Sequence, residues 1–252
     1  MHSTRAILFD LYGTLFISDS IEDAHSSFGQ CLSGFLKNLG VELQQAGIED
    51  LFEHFWAGEE ISPRSDVTLF ERRLAGFLSK LHIPWDRGLI SMLASRLCSA
   101  WQELYYVDPV AGDVLEKLGA RSKLGVVTNF DHPPHIHTLL GNCGLKSYFN
   151  TVVVSADVGV QKPDPEILLI ACERIGVTPE ESVYIGDSIV DCQAAMAAAI
   201  SPVIIRRPKR QEIEKQPRIA ARYTDSDDYL EKFSKEGRLR IVDDLRCVAE
   251  GL

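Results

Sequence analysis

Asp10 closes the apolar run Ile7-Leu8-Phe9 and is followed by Leu11, Tyr12, Gly13, Thr14 and Leu15. The sequence thus offers a carboxylate at the end of a strand that has no polar face. In an open parallel sheet, ligands bind beyond the carboxyl ends of the strands, where an attacking carboxylate would be placed to act. Three later segments repeat the pattern with other polar groups. Leu124-Gly125-Val126-Val127 ends in Thr128 and Asn129. Gln161-Lys162-Pro163-Asp164-Pro165 sets Lys162 in a loop ahead of a helix that Asp164 can cap and Pro165 can open. Val183-Tyr184-Ile185-Gly186 runs into Asp187, Ser188 and Asp191. Singly, each has an ordinary explanation: Asp10 and Thr128 as strand-end caps, Lys162 as a surface cation, Asp191 as the N-cap of a helix beginning near Cys192. Together they bring a carboxylate, a hydroxyl, an ammonium and a pair of acids to one sheet edge.

In that order along the chain, these segments resemble the motifs of the haloacid dehalogenase-like hydrolase superfamily. The resemblance implies that Asp10 is the nucleophile and forms a covalent intermediate, dividing one hard step into two easier ones. Phosphoryl transfer spreads negative charge over the moving group, and paired carboxylates would repel it without a cation between them. Magnesium, which takes hard oxygen ligands, suits that task. The family pattern implies that Asp10, the backbone carbonyl of Tyr12 and Asp187 hold Mg2+, with Asp191 coordinating directly or through water. Thr128 and Lys162 would bind the phosphoryl oxygens, Lys162 would also offset the charge on Asp10, and Thr14, Asn129 and Ser188 would help to position the substrate.

One position departs from the pattern. Most phosphatases of this superfamily carry a second aspartate two residues after the nucleophile, as acid for the leaving alcohol and later as base for water. Here that place is Tyr12, a phenol with an unperturbed pKa of about 10 and a poor base at neutral pH. Losing a positioned acid/base commonly removes about 10²–10⁴ in rate. Tyrosine at this place is a hallmark of 2-haloacid dehalogenases, whose halide leaving group needs no proton, so metal-independent dehalogenation is the first rival. Those enzymes, however, carry an arginine in the early cap, where residues 6–63 have none, a tyrosine six residues after the lysine, where Leu168 stands, and Ser-Ser-Asn where this chain has Gly186-Asp187-Ser188. A phosphonoacetaldehyde hydrolase would need a cap lysine in a context that neither Lys37 nor Lys80 offers. A metal-binding regulatory relative without turnover is the third alternative.

Positioning these groups calls for a parallel sheet covered on both faces. From Val107 onward, helical stretches alternate with short apolar runs, at Leu124–Val127, Thr151–Val154, Val183–Ile185 and Val203–Ile205. The tail from Thr224 reads as a charged helix, a strand at Leu239–Val242 and a closing helix. Between Ile17 and about Tyr106, apolar residues recur three and four apart, as in Phe28, Leu32, Phe35, Leu36 and Leu39, and again in Leu69, Leu74, Phe77, Leu78 and Leu81. The expected architecture is therefore α/β: a doubly wound, Rossmann-like core of residues 1–16 and 107–252 with a helical insertion, 17–106, after the first strand. Within the superfamily such an insertion resembles the C1-type cap that closes over the site. Gly58–Asp66, with Pro63, reads as a connection between helical pairs.

A formal net charge of -10 over 252 residues argues against nucleic acid and anionic membranes as partners. The chain has no long apolar run and no charged-then-apolar leader. Its six cysteines form no C-x-x-C and read as small buried hydrophobes in a reducing cytoplasm. The expected partner is a small phosphorylated substrate, with monomer and homodimer both left open. Arg64, Arg72 and Arg73 are cap cations that could meet an anion, although exposed helix charge explains them as well. His132, His135 and His137 read as a solvated helix start rather than a metal site, with Asp131 and His132 able to line the pocket. Arg206-Arg207-Pro208-Lys209-Arg210 reads as a solvated loop.

Overall fold

In the computed structural model, the described residues are 4–18, 21–41, 66–208 and 224–251, and the side chains of 21–26 and 224–228 lie outside that description. Arg64 and nearly all of the expected 58–66 connection fall outside it too. The first strand, β1, spans Ala6–Phe9 and pairs in parallel with β4, Lys123–Thr128, on one side and β6, Ser182–Gly186, on the other. With β5 at Thr151–Val154, β7 at Ser201–Ile205 and β8 at Arg240–Val242, the parallel sheet runs in the order β5-β4-β1-β6-β7-β8.

Side chains alternate along each strand, so apolar runs must be covered on both faces. Ile7, Phe9, Val126 and Ile185 pack on one face against the helices α4, Ala111–Gly119, and α10, Leu245–Gly251. Leu8, Val127, Val153 and Tyr184 pack on the other against α7, Glu166–Ile175, and α8, Ile189–Ala197. The expected strand at 239–242 is a residue shorter, and the charged tail helix, α9, spans Thr224–Lys235.

Beyond β1 the chain makes a tight turn into β2, Phe16–Ile17, which pairs antiparallel with β3, Tyr106–Val107. Helical periodicity had no way to show this short ribbon. Between its strands lie α1, Ile21–Asn38, α2, Leu69–Lys80, and α3, Arg87–Gln102. Their apolar stripes meet in a separate cluster that includes Phe28, Leu36, Leu74, Leu78, Leu93 and Leu97. The first turn of α2 is fixed by a capping box: the Glu71 N–H donates to Thr68 Oγ1 at 3.2 Å, and the Thr68 N–H to Glu71 Oε2 at 2.8 Å. The remaining helices are α5, Pro133–Asn142, which opens on its proline pair, and the short α6, Ser155–Val158.

Candidate active site

The Asp10 N–H donates to the Ile185 carbonyl at 2.8 Å, extending the ladder by one residue and setting the carboxylate at the sheet edge between β4 and β6. Asp187 leaves β6 at the same edge, and Asp191 follows on the first turn of α8. Oxygens of Asp10, Asp187 and Asp191 lie within 4.8 Å of one another, and all three residues are buried. Gly13, at φ +89°, lets the turn after Asp10 close over Asp187: a Cβ there would sit 2.1 Å from Asp187 Oδ2. A side chain at that position would collide with the Asp187 carboxylate.

Lys162, also buried, enters from the loop before α7. Its Nζ lies 2.6 Å from Asp10 Oδ1, 2.7 Å from Asp191 Oδ1 and 2.8 Å from the Tyr184 hydroxyl. Two devices hold it there. The Asn129 side chain accepts from the Lys162 N–H and donates to the Lys162 carbonyl, both at 2.9 Å. That engages the amide of Asn129 with the lysine loop, so the residue bears on substrate through Lys162. Tyr184 stands beneath, its hydroxyl 3.1 Å from both Asp191 Oδ1 and the Val127 carbonyl.

Asp191 is heavily bonded at both oxygens. Oδ1 accepts from Lys162 and Tyr184, and Oδ2 accepts from the Asp187 N–H, the Ser188 N–H and the Ser188 hydroxyl. It stands at the third position of α8, in a capping box with Ser188 as the N-cap. The helix thus begins at Ile189 and not near Cys192, its N-cap is Ser188 and not Asp191, and Asp191 takes the reciprocal third place. Thr128 is buried at the end of β4, and Thr14 is buried with its hydroxyl unpartnered.

Burial pushes the Asp10 carboxyl up to about 7, with repulsion from Asp191 and Asp187 adding to it and Lys162 opposing it. Burial works against the Lys162 ammonium as well, but Asp10 and Asp191 outweigh it and raise its pKa. Asp191 is held below the usual carboxylate range because Lys162 and the Ser188 donors overcome its burial. Three buried carboxylates thus offer oxygen ligands to one space, and Lys162 bonds two of them. A hard divalent cation fits that donor set.

Tyr12 turns away from this cluster. Its hydroxyl donates to Gln102 Oε1 at 2.6 Å and lies 3.2 Å from His135 Nε2. Its ring is caged by Trp101, Tyr105, Phe130 and Phe16 at centroid separations of 4.5, 5.1, 5.7 and 6.0 Å. Burial raises the Tyr12 pKa further, so the phenol stays protonated. Gln102 is oriented by a donation to the Tyr105 carbonyl at 3.0 Å, which aims its oxygen at Tyr12.

The three histidines diverge. His132 Nδ1 pairs with Thr68 Oγ1 at 2.9 Å, His135 faces Tyr12 and Gln102, and His137 Nε2 lies 3.6 Å from Asp157. Exposed helix charge does not describe Arg73, which is mostly buried and pairs with Asp131, whose carbonyl accepts from the Phe70 N–H at 3.1 Å. Arg72 donates to the Val67 carbonyl at 3.3 Å. The basic run is likewise no simple solvated loop, because Arg207 folds onto the Gly13-Thr14 turn and Asp108. Tyr184, Asp108 and Arg207 escaped the sequence reading. The signals were present as a hydroxyl inside an apolar strand, which must find a buried partner, and an arginine just past a strand end at the same edge.

A family model for haloacid dehalogenase-like hydrolases matches residues 4–199. The chain is 29% identical over 214 residues to the phosphoglycolate phosphatase of Salmonella paratyphi A, covering 81% of each sequence. Among solved structures, it resembles a haloacid dehalogenase-family phosphatase from Thermococcus onnurineus with a TM-score of 0.57 and 26% identity, over 81% of this chain and 87% of that one. It shares its fold with a 2-haloacid dehalogenase from Pseudomonas syringae, with a TM-score of 0.60 and 22% identity, over 80% of this chain and 86% of that one.

Proposed function

This chain belongs to the haloacid dehalogenase-like hydrolase family, and from that premise we propose that it is a magnesium-dependent phosphatase in which Asp10 attacks a small phosphate ester or acyl phosphate. The observation that carries the reading is the convergence of Asp10, Lys162, Asp187 and Asp191 in one buried cluster. Asp187 is hard to account for in a metal-free dehalogenase. The phosphoglycolate phosphatase relative supports a small phosphorylated substrate.

Asp10, the Tyr12 carbonyl and Asp187 would hold the ion, which when bound offsets the negative charge of the phosphoryl group and of the acids. Asp191, its oxygens already engaged, would anchor Lys162 and reach the ion only through water. Lys162 opposes the burial that raises the Asp10 pKa, which favours the ionised carboxylate, and with Thr128 it would meet the phosphoryl oxygens. The Asp10 oxygen forms a bond to phosphorus as the ester P–O bond breaks, and water then cleaves the aspartyl phosphate. The departing oxygen gains no proton from Tyr12, whose hydrogen is directed at Gln102. Aryl and acyl phosphates, which leave without protonation, should therefore react faster than alkyl phosphates. Thr14 would position substrate, with Asn129 acting through Lys162.

The division into a core, 1–16 and 107–252, and a cap, 17–106, belongs to the same proposal. It is supported by the β2–β3 ribbon at the junction and by the separate apolar cluster of α1, α2 and α3. A cytoplasmic site of action fits the cysteines, none of which is paired among the described residues; no helix among those residues is long and apolar enough to cross a membrane.

Offering p-nitrophenyl phosphate and 2-chloropropionate, each with magnesium or EDTA, tests the reading against Asp10→Asn. Metal-dependent phosphate release that is lost in the variant is the expected result. Chloride release indifferent to EDTA would replace it with dehalogenation, and tight metal binding without turnover of either compound would replace it with a regulatory role. Equal rates for aryl and alkyl esters would remove the leaving-group argument.

A further inference from the structure

Strand β7 ends at the same sheet edge as β1, β4 and β6, and Arg207, two residues beyond it, turns back over the loop that follows Asp10. One guanidinium nitrogen, Nη1, donates to the Gly13 carbonyl; the other, Nη2, donates to the Thr14 carbonyl at 3.0 Å and to Asp108 Oδ2 at 2.6 Å. Asp108 is buried and fixed in its turn: Oδ1 accepts from the Val110 N–H at 3.1 Å, and its own N–H donates to the Leu15 carbonyl at 2.9 Å. The carbonyls of Gly13, Thr14 and Leu15 are thus all held by the Arg207–Asp108 pair. The base of this strap is anchored as well, because the Arg206 N–H donates to the Val242 carbonyl at 2.8 Å.

The same turn abuts Asp187, where no room remains for a Cβ on Gly13. Arg207 and one of the acids thus both bear on Gly13. A turn that follows Asp10 and closes against Asp187 is placed to set how the two carboxylates face one another. A planar guanidinium suits this task because its fork can serve carbonyls and a carboxylate in fixed directions at once, which a lysine ammonium on a flexible stem does poorly. Nothing about Arg207 places it on substrate; it acts through the turn.

We propose that Arg207, paired with Asp108, is a positioning residue that fixes the Leu11–Leu15 turn and thereby the alignment of Asp10 with Asp187. This inference rests on the reading of Asp10 as the nucleophile and of Asp10 and Asp187 as holders of the ion. Arg207→Lys keeps the charge beside Asp108 but loses the fork, whereas Arg207→Ala loses both.

The test measures kcat and KM on p-nitrophenyl phosphate, binding of magnesium alone by calorimetry, and thermal stability for both variants. Support from outside the ligand shell commonly governs about 10–100-fold in metal affinity or activity, and small misplacements of reacting groups cost about 10²-fold. Arg207→Lys should lower kcat by about tenfold or more with KM little changed, and should weaken magnesium binding by a similar factor. Added guanidinium ion should restore part of the loss in Arg207→Ala. A lowered melting temperature with wild-type kcat and wild-type magnesium binding would overturn the proposal and leave Arg207 a strap of the fold alone. Should Arg207→Ala fail to fold, Arg207→Lys decides. A wild-type protein with no Asp10-dependent turnover would defeat the reading of the nucleophile instead, and magnesium binding would still judge Arg207.

Discussion

The floor of the site and the seam above it share two segments of chain, those that follow β1 and close β4, and do opposite things. From the loop after β1, Asp10 points into the floor and Tyr12 into the seam. At the end of β4, Thr128 lies at the floor, while Phe130, Asp131 and His132 in the loop beyond it meet α2 and α3. The floor is charged: Lys162 bonds Asp10, Asp191 and Tyr184, and burial raises the Asp10 pKa in spite of Lys162. The seam is aromatic and close to neutral, with the Tyr12 cage, the Thr68–His132 contact and the Asp131–Arg73 pair. A few residues of chain therefore separate groups that react from groups that hold the helices on the sheet. Floor substitutions should strike turnover, and seam substitutions should strike stability and substrate affinity.

Asp10→Asn is the largest expected effect. It should lower phosphate release by roughly 10⁴-fold or more, the scale on which loss of a nucleophile acts. It should not destabilise the metal-free protein, because it relieves repulsion among three buried acids; a melting curve checks that half. Lys162→Met comes next and differs in kind. It strands Asp10 and Asp191 without their cation, which should cost about 3 kcal/mol or more in denaturant unfolding as well as abolishing turnover. A Lys162→Met protein as stable as wild type would show that the floor is less charged than its geometry implies.

The floor was the legible part of this sequence. Its acids and Thr128 stand at the ends of apolar strands or in the first turn of a helix, and such places write themselves locally, as Asp10, Thr128 and Asp187 do; Tyr184, inside β6, does not. The seam was illegible because its contacts join positions far apart in the chain: Tyr12 to Gln102 and His135, Arg73 to Asp131, Thr68 to His132. Composition sees only a tyrosine where an aspartate is usual, and exposed-looking charge on a helix. Arg207 was lost for a related reason, since a basic run gives no sign that one of its members folds back over a turn nearly two hundred residues earlier. The short β2–β3 ribbon lies below the length at which alternation can register.

Gln102→Leu sharpens the comparison from the seam side. It removes the acceptor of the Tyr12 hydroxyl and the donor to the Tyr105 carbonyl, which should cost about 1–3 kcal/mol. With the cap less firmly seated, KM should rise more than kcat falls. A drop in kcat at constant KM would break the division, by showing that the Tyr12 cage serves the chemistry directly. Thr68→Ala should act in the same direction but less, by about 1 kcal/mol, because it deletes an N-cap and the partner of His132. Urea unfolding at neutral pH is the measurement.

The effect that is smallest near neutrality reads the seam by pH. Burial lowers the His135 pKa to about 4, with His132 adding to the effect, so the folded protein keeps this imidazole neutral between Tyr12 and Gln102. The unfolded chain binds the proton first, near pH 6.5. With its folded pKa depressed, His135 costs no stability well above 6.5, removes stability as the pH falls from 6.5 toward about 4, and removes no more below that. At pH 6 the loss should be about 1 kcal/mol. Many carboxylates titrate over the same range, so the quantity to compare is the difference in unfolding free energy between wild type and His135→Gln, which keeps a hydrogen-bonding side chain without the titration. That difference should be flat above neutrality and bend downward for the wild type on acidification. A difference independent of pH would mean that His135 takes up its proton as readily in the seam as in water, and the seam could not then be the dry, aromatic counterpart of the floor.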